Sequence, residues 1–185
     1  MANHSLPRII ALCGKPRAGK STAADLLKEI YGYEIVDDGL PLRQIAMSSL
    51  GLSETQVFTQ AGKLQKVNLV GRTWSVREIL GEIGNAFEEK FGGDIIPFMS
   101  ARLMSPSKRY VLTSVRREQG NFWKEQGALV IEIDNPDVPE SEFEFDQYSR
   151  AAIDRIILND GLANGLAEDD ALLDLCKKLQ FAVEA

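Results

Sequence analysis

The loop at residues 14–21, GKPRAGKS, constrains the fold of this chain more than any other feature. It fits the pattern G-x-x-x-x-G-K-[ST] without a gap. The apolar run Arg8–Cys13 precedes it, and Lys20–Tyr31 follows with apolar residues at helical spacing. Because a short apolar run that ends at a glycine is typical of a buried parallel strand, the chain begins with strand, loop and helix.

This setting favours phosphate binding over the alternative, a glycine-rich turn that merely starts a helix. Main-chain amides of such a loop surround a phosphate, and the first turn of the helix adds its own N–H groups. Glycine is needed at both ends because a side chain would keep the backbone away from the phosphate. We expect Lys20 to reach the β- and γ-phosphates and the Ser21 hydroxyl to ligate Mg²⁺. The expected nucleotide contacts are Gly14, Lys15, Arg17, Ala18, Gly19, Lys20, Ser21 and Thr22.

The rest of the chain alternates strands and helices, which predicts a three-layer α/β fold with a five-stranded parallel sheet. The predicted strands are Arg8–Cys13, Tyr33–Val36, Tyr110–Val115, Ala128–Ile133 and Ile153–Leu158. The predicted helices outside residues 40–105 are 20–31, 118–126 and 168–183. Residues 1–185 form one predicted domain, in which 40–105 is a mostly helical subdomain and about 101–126 a lid region. Ser75 and Glu78 fit a capping box at the start of a helix.

Charge is distributed unevenly along the chain, whose net charge is −6. Residues 1–125 contain 17 basic and 13 acidic side chains, whereas residues 126–185 contain 4 and 14. The excess of basic groups coincides with the loop, as expected for an anionic ligand. No apolar run is long enough for a membrane span or a signal peptide, and the two cysteines have no metal-site spacing. We therefore expect a cytoplasmic protein with no membrane partner.

The chain lacks the sequence motifs of two other classes of nucleotide-binding protein. A switch GTPase has an Asn-Lys-x-Asp motif, and an ATPase motor has aliphatic residues running into Asp-Glu; neither occurs in this chain. A small chain with a helical insertion after the second strand and scattered arginines has the layout of a nucleoside or nucleotide kinase. Catalysis in such enzymes depends on positioning and charge neutralisation, for which arginines are suited.

Several segments together resemble the deoxynucleoside monophosphate kinases of bacteriophages, and more distantly dephospho-coenzyme A kinase and other small P-loop kinases. These segments are LCGKPRAGKSTAADLL, DDGLPLRQIA, TWSVREILGEIGNAFEEKFGGDII, YVLTSVRRE and RIILNDGLANGL. The resemblance implies transfer of a phosphoryl group from Mg-ATP to a deoxynucleoside 5′-monophosphate. If the protein is encoded by a phage, it also implies a location in the host cytoplasm.

The resemblance also implies roles for residues outside the loop. Arg43 matches a contact to the acceptor phosphate, and Arg77 opens the family's Arg-Glu-Leu-Leu-like segment. Arg116 matches the arginine at the end of a strand, and Asn159 would line the adenine pocket. Two positions depart from the family. Ser114 replaces an aspartate, and where the family tends to have an arginine after a Gly-Thr-Glu helix turn, this chain has Glu89, with Lys90 one position on.

Charged residues near predicted strand ends are further candidates. Asp37 and Asp38 follow the second strand, where one could hold a metal-bound water or position the acceptor, or both could simply form a turn. Arg43 and Arg77 could clamp the acceptor phosphate, or lie on a solvated helix face. For Arg116 and Arg117 we expect that at least one neutralises the transferred phosphoryl group. The predicted catalytic set is Lys20, Asp37, Arg116 and Arg117; the acceptor set is Asp38, Arg43, Arg77 and Lys90; and the metal ligands are Ser21 and Asp37.

For the remaining candidates, the sequence pattern favours structural roles. The aromatic residues of the helical stretch could stack on an acceptor base, but their helical spacing favours core packing; they are Trp74, Phe87, Phe91 and Phe98. Cys13 lies on a buried strand and is expected to pack. The only histidine, His4, lies near the N-terminus, so we expect no histidine acid–base mechanism.

Three functions stay open at this point. The first is a phosphotransferase acting on a nucleoside monophosphate, whose ionised phosphate needs no strong base. The second is a kinase acting on a hydroxyl of a small metabolite or a modified DNA base, with Asp37 or Asp38 as base; DNA is a partner only in this case. The third is a nucleotide-binding module without turnover. The sequence leaves open whether the chain forms a homodimer.

Overall fold

The structure is a computed structural model and describes residues 6–184. The chain divides into two compact units. The phosphate-loop unit joins the chain up to Asp37 with the chain from Leu103 onward, and the helical unit is Asp38–Arg102. The strands are β1 (Ile9–Cys13), β2 (Glu34–Val36), β3 (Lys66–Leu69), β4 (Arg72–Ser75), β5 (Tyr110–Leu112), β6 (Leu129–Asp134) and β7 (Arg155–Leu158). The helices are α1 (Lys20–Tyr31), α2 (Leu40–Leu50), α3 (Glu54–Phe58), α4 (Gln60–Lys63), α5 (Val76–Phe91), α6 (Ile95–Ala101), α7 (Gln119–Glu125) and α8 (Glu168–Glu184).

The phosphate-loop unit is built on a five-stranded sheet in the order β2-β5-β1-β6-β7. Every pair of neighbouring strands in it is parallel. This confirms the predicted α/β fold with a five-stranded parallel sheet. The chain crosses from β1 to one side of the sheet and later from β5 to the other, so the strand order reverses beside β1. Ligands of open α/β sheets bind outside the carboxyl ends of the strands at such a reversal.

Apolar residues cover the sheet in the way that the sequence pattern predicts. All five residues of β1 are buried. On one face, Ile10 and Leu12 belong to a core with Leu27 of α1 and Leu179 of α8. Successive side chains of a strand point to opposite faces, so Cys13 points away from this core. α7 packs against β1 and β6. The parallel sheet is thus buried between helices, and its loops at the carboxyl edge are left for function.

The helical unit has its own small core and one element that the sequence analysis missed. Ala46, Val57 and Ile79 are buried in that core. The hairpin β3–β4 replaces the helical structure expected here; its turn has positive φ at Val70 (51°) and Gly71 (77°). The predicted capping box is confirmed at the start of α5, where the Ser75 side chain accepts from the Glu78 N–H and the Glu78 side chain accepts from the Ser75 N–H.

Most predicted elements end within a few residues of the observed ones. α1 spans the predicted residues, whereas the strand expected at Tyr110–Val115 ends at Leu112. Residues 101–126, the predicted lid region, contain the buried strand β5 and the helix α7. The lid role of residues 101–126 stays a prediction. Within residues 6–184, no helix is both long and apolar enough to span a membrane.

Candidate phosphate-binding site

Two glycines let the loop pass close to neighbouring strands. Gly14 has φ 137°, and a Cβ placed on it would lie 2.3 Å from the carbonyl oxygen of Ile133. Gly19 has φ 104°, and a Cβ there would lie 2.3 Å from the Asn159 amide nitrogen. Any other residue at either position would have to displace backbone or a bonded side chain. The loop is therefore shaped by contacts that only glycine permits.

The Lys20 side chain folds back over the loop at the start of α1. Its Nζ donates to the carbonyl oxygens of Gly14 and Lys15, each at 2.7 Å. The residue before the helix, Gly19, provides no side-chain cap. The first amides of a helix without such a cap are available to an anion. Ser21, in the same first turn, is exposed. The loop, the helix start and the lysine thus converge as phosphate binding requires.

Other predicted nucleotide contacts have different surroundings. The Lys15 ammonium donates to the Val138 carbonyl at 3.1 Å and lies 3.4 Å from a Glu140 carboxylate oxygen, so its side chain points toward the chain after β6. Arg17 is exposed and has φ 70°. Ala18 is fully buried, and Thr22 is exposed. Lys15 could therefore serve a nucleotide through its main-chain amide rather than its ammonium group.

Asn159 follows β7 and binds the loop itself. Its side-chain amide donates to the Ala18 carbonyl at 2.9 Å, and its main-chain N–H donates to the Asp134 carbonyl at 2.7 Å. The residue thus ties the end of β7 to the phosphate loop. Its predicted contact with an adenine stays a prediction, and its role in holding the loop was not foreseen.

A carboxylate and a hydroxyl meet beyond the ends of β2 and β5. The Ser114 hydroxyl donates to Asp37 Oδ1 at 3.2 Å. The two strands are in register, with Val36 opposite Leu112, so both side chains lie at the carboxyl edge of the sheet. Ser114 occupies the position where the resembled family has an aspartate. Asp37, from the neighbouring strand, therefore places a carboxylate at this point of the edge, where it accepts the hydrogen bond of the serine.

Arg116 and Arg117 lie beside a stretch that follows β6. The Arg116 guanidinium is 3.3 Å from Asp146 Oδ1, and that carboxylate is 2% exposed. Arg117 has φ 46°, and its main-chain N–H donates to the Gln147 carbonyl. The Arg117 carbonyl accepts from the Ser149 N–H at 2.8 Å. Both arginines therefore contact the connection between β6 and β7, and their predicted catalytic role stays a prediction.

A buried acid on β6 was missed by the sequence analysis. Glu132 is fully buried and accepts a hydrogen bond from the Tyr148 hydroxyl and one from the Arg150 guanidinium. It is the register partner of Cys13. Burial, and after it the Glu132 charge, raise the pKa of the Cys13 thiol to about 12. Cys13 is therefore protonated at neutral pH, in agreement with the predicted packing role.

The acceptor candidates belong to the helical unit. Arg43 is buried, donates from Nε to the Val57 carbonyl at 3.1 Å and lies over the Phe58 ring. Asp38 is buried and Arg77 half-buried. Lys90 is 70% exposed and pairs with its neighbour Glu89. Contact of these four residues with an acceptor stays a prediction.

The aromatic candidates fall into two groups. Trp74 packs against the core of the helical unit, as predicted, but it does so from strand β4 and not from a helix. Phe91 and Phe98 are 69% and 51% exposed, and Phe87 contacts Phe91. The core-packing interpretation is therefore wrong for Phe91 and Phe98. His4 lies outside the described residues.

The two predicted metal ligands, Ser21 and Asp37, are chemically suited to Mg²⁺. A hydroxyl at Ser21 and a carboxylate at Asp37 are hard oxygen ligands, and Mg²⁺ in phosphotransfer sites is held by few protein ligands together with phosphate oxygens. The glycine cradle at residues 14–19 fits the phosphates that would accompany the ion. Ser21 and Asp37 are thus the residues that would hold it.

Comparisons with known proteins give remote structural likenesses and no family. No family model and no curated protein matches the chain. Dephospho-CoA kinase from Campylobacter jejuni is 18% identical, covering 96% of this chain and 98% of its own, with a TM-score of 0.47. Shikimate kinase from Aquifex aeolicus is 16% identical, covering 93% and 96%, with a TM-score of 0.42. A sugar kinase from Janibacter sp. HTCC2649 is 11% identical, covering 94% and 95%, with a TM-score of 0.43. At these identities and TM-scores the matches describe the fold and give no information about activity.

Proposed function

We propose that the protein is a P-loop kinase that transfers the γ-phosphoryl group of Mg-ATP to the phosphate of a deoxynucleoside 5′-monophosphate. The observation that carries the proposal is the loop Gly14–Ser21, in which two conformationally required glycines, an uncapped helix start and Lys20 converge. It lies where the strand order of the sheet reverses. The choice of acceptor rests on the resemblance of the sequence to phage monophosphate kinases.

The roles of the chain's own residues follow from charge. Amides of residues 14–21 and the Lys20 ammonium stabilise the negative charge on the transferring group. When bound, Mg²⁺ neutralises charge on the β- and γ-phosphates, with Ser21 and Asp37 as its protein ligands. An acceptor monophosphate is already ionised near neutral pH, so its oxygen can attack phosphorus in line without a strong base. Arg116 or Arg117 would neutralise the phosphoryl group, and Asp38, Arg43, Arg77 and Lys90 would bind the acceptor.

A second candidate keeps the donor and changes the acceptor to a hydroxyl, on a small metabolite or a modified DNA base. The observation that favours it is the pair of Asp37 and Ser114 at the carboxyl edge of the sheet. A carboxylate fixed in this way beside the strand-order reversal can accept the proton of an attacking hydroxyl. In this reading Asp37 is a general base, and DNA becomes a possible partner.

An ADP-release assay separates these candidates. Purified protein with Mg-ATP is offered a panel of deoxynucleoside monophosphates, and separately a panel of metabolites and DNA that present hydroxyl groups. Turnover with monophosphates alone supports the first candidate, and turnover with hydroxyl acceptors alone supports the second. ATP binding without turnover on either panel points to a nucleotide-binding module and contradicts both.

Asp37→Asn sharpens the distinction between the two acceptors. If Asp37 is a general base, the variant loses the acidic limb of the pH–rate profile together with most of kcat. If Asp37 is only a metal ligand, the variant needs a higher Mg²⁺ concentration and keeps the shape of its profile. Ser114→Ala, which removes the donor to Asp37 and leaves the carboxylate, is the matched control.

A further inference from the structure

Glu132 is an acid in a place where acids are rarely found. It lies on β6 between Ile131 and Ile133 and is fully buried. Burying a carboxylate is costly, and a well-packed apolar residue at such a position is often at least as stable. Stability alone therefore does not account for an acid at this position. The hydrogen-bond partners of Glu132 indicate what other role it has.

The partners of Glu132 come from the β6–β7 connection, residues 135–154. The Tyr148 hydroxyl donates to Glu132 Oε1 at 2.6 Å, and Arg150 donates to the same oxygen at 3.1 Å. Within the part of the chain that the structure describes, Glu132 Oε2 has no hydrogen-bond partner. Both hydrogen bonds to Glu132 are therefore made by Oε1. Through them, Oε1 attaches the last part of the connection to the sheet.

The strand register places this cluster beside the start of the phosphate loop. Glu132 is opposite Cys13, the residue before Gly14. Lys20 Nζ donates to the carbonyl of Gly14, so it lies at the same end of β1. The charges of Lys20 and Arg150 both lower the pKa of the Cys13 thiol, against the larger effect of burial. The Arg150 side chain is 68% exposed. Its guanidinium is therefore anchored to Glu132 on one side and faces solvent on the other.

The same connection contacts the loop site at two further points. Val138 and Glu140 hold the Lys15 ammonium, and Asp146 holds Arg116. The connection therefore follows the edge of the site from the phosphate loop to the stretch after β5. If Glu132 fixes the connection, it therefore also fixes the positions of Lys15 and Arg116, which the connection holds.

We propose that Glu132 is a positioning residue that acts through Arg150: its buried carboxylate fixes the guanidinium beside the phosphate loop, where Arg150 binds the triphosphate of ATP. The inference rests on the proposed ATP binding and extends it to a residue pair outside the loop motif. In the purely structural alternative, Arg150 serves only to neutralise Glu132.

The test is a double-mutant cycle on ATP binding, with Glu132→Gln, Arg150→Gln and the double variant. Arg150→Gln should weaken ATP binding about tenfold, as expected for a lost hydrogen bond to a charged group. Glu132→Gln keeps the size of the side chain and should weaken binding to a similar extent, because the guanidinium loses its charged anchor. The double variant should bind no more weakly than Arg150→Gln alone. Calorimetry measures the dissociation constants.

Steady-state kinetics and matched variants exclude a general loss of structure. The KM for ATP should rise about tenfold in both single variants while the KM for the acceptor stays unchanged. Glu142→Gln, an exposed acid of the same connection, should leave both unchanged. If Glu132→Gln does not fold, the exposed Arg150→Gln still gives the answer, and Arg150→Lys should restore part of the affinity because it keeps the charge.

The outcomes separate this inference from the function on which it rests. If the wild-type protein does not bind ATP, the proposed function fails and the inference falls with it. If the wild type binds ATP and Arg150→Gln binds it as tightly, only the inference is overturned. It is also overturned if the losses from Glu132→Gln and Arg150→Gln add fully in the double variant.

Discussion

The two compact units hold their candidate functional groups by different means. In the phosphate-loop unit the main chain does most of the positioning: the Lys20 ammonium binds carbonyl oxygens, and Gly14 is packed against Ile133. In the helical unit side chains carry the candidates; Arg43 lies over the Phe58 ring, whereas Lys90 is 70% exposed. A position where the backbone passes close to another strand permits few substitutions, whereas an exposed side chain such as Lys90 permits many. If the loop binds ATP as proposed, substitutions in the loop should be tolerated less well than substitutions of the exposed Lys90.

The largest expected effect is the loss of Lys20. If the protein has the proposed function, Lys20→Ala should reduce kcat about 10³-fold, because it removes a cation that stabilises the transferring phosphoryl group. It also removes two hydrogen bonds to loop carbonyls, so the free energy of unfolding should fall by about 1–3 kcal/mol. Lys28→Ala, at the exposed end of the same helix, is the control and should retain activity. The measurement is the ADP-release assay together with chemical denaturation. Retention of half the wild-type rate by Lys20→Ala would contradict the assignment.

The glycines provide a direct comparison of the two units. Gly14→Ala should lower the free energy of unfolding by about 2–4 kcal/mol, since the new Cβ meets the Ile133 carbonyl at a positive φ. Gly51→Ala in the helical unit also has a positive φ, in the left-handed helical region, but nothing lies within 4 Å of the added Cβ. It should cost about 1 kcal/mol. Urea denaturation measures both, and equal losses would remove the contrast between the units.

Within the helical unit, Arg43 and Lys90 should differ in stability. Arg43→Ala removes a hydrogen bond to the Val57 carbonyl and a contact with the Phe58 ring, and it should cost about 2 kcal/mol. Lys90→Ala removes an exposed pair and should change stability by less than about 0.5 kcal/mol. Thermal unfolding at one protein concentration is sufficient to compare them. A cost for Lys90→Ala as large as that for Arg43→Ala would show that acceptor-side cations are not held by local packing.

The last prediction concerns the decrease in the free energy of unfolding at alkaline pH. Burial raises the pKa of Cys13 to about 12 from an ordinary value of 9.0. The stability that the protonated thiol contributes is therefore complete below pH 9 and is lost as the pH rises from 9 toward 12, at up to about 1.4 kcal/mol per pH unit. Burial raises the pKa of Tyr33 to about 12 as well, so that residue adds a loss above pH 10.

Cys13→Ala isolates the contribution of the thiol. Its unfolding free energy should be lower at pH 7 by about 1 kcal/mol, for a small buried group, but should fall less steeply between pH 9 and 10, before Tyr33 titrates. Stability measured by denaturation at fixed ionic strength across this range gives the slopes. Identical slopes in the wild type and Cys13→Ala would show that the thiol is not shielded from water in the folded protein.

The sequence was most informative where a local pattern determines the structure. α1 could be predicted to its ends because the loop, the apolar stripe and Gly32 all mark it. The cap of α5 followed from Ser75 and Glu78 alone. The hairpin β3–β4 was missed because its turn is Val70-Gly71. Valine rarely adopts a positive φ, and Asn-Gly is the usual signal of such a turn.

The side-chain clusters of the site could not be predicted in the same way. Glu132 is an acid within an apolar strand, and its partners lie 16 and 18 residues further along the chain, in a stretch without periodicity. The amide of Asn159 reaches the Ala18 carbonyl across 141 residues. Such contacts depend on strand order, which the alternation of strands and helices suggests but does not determine. Only the alternation of Val67 and Leu69 with polar residues could have indicated the missed hairpin.

The amide contact between Asn159 and Ala18 has a consequence for synthesis. Ribosomes make the N-terminal loop early, but the residue that secures it comes directly after the final strand of the sheet. A nascent polypeptide that stops short of position 159 therefore has the loop without this tether. We expect nucleotide affinity to arise late in translation, once β7 has joined the sheet.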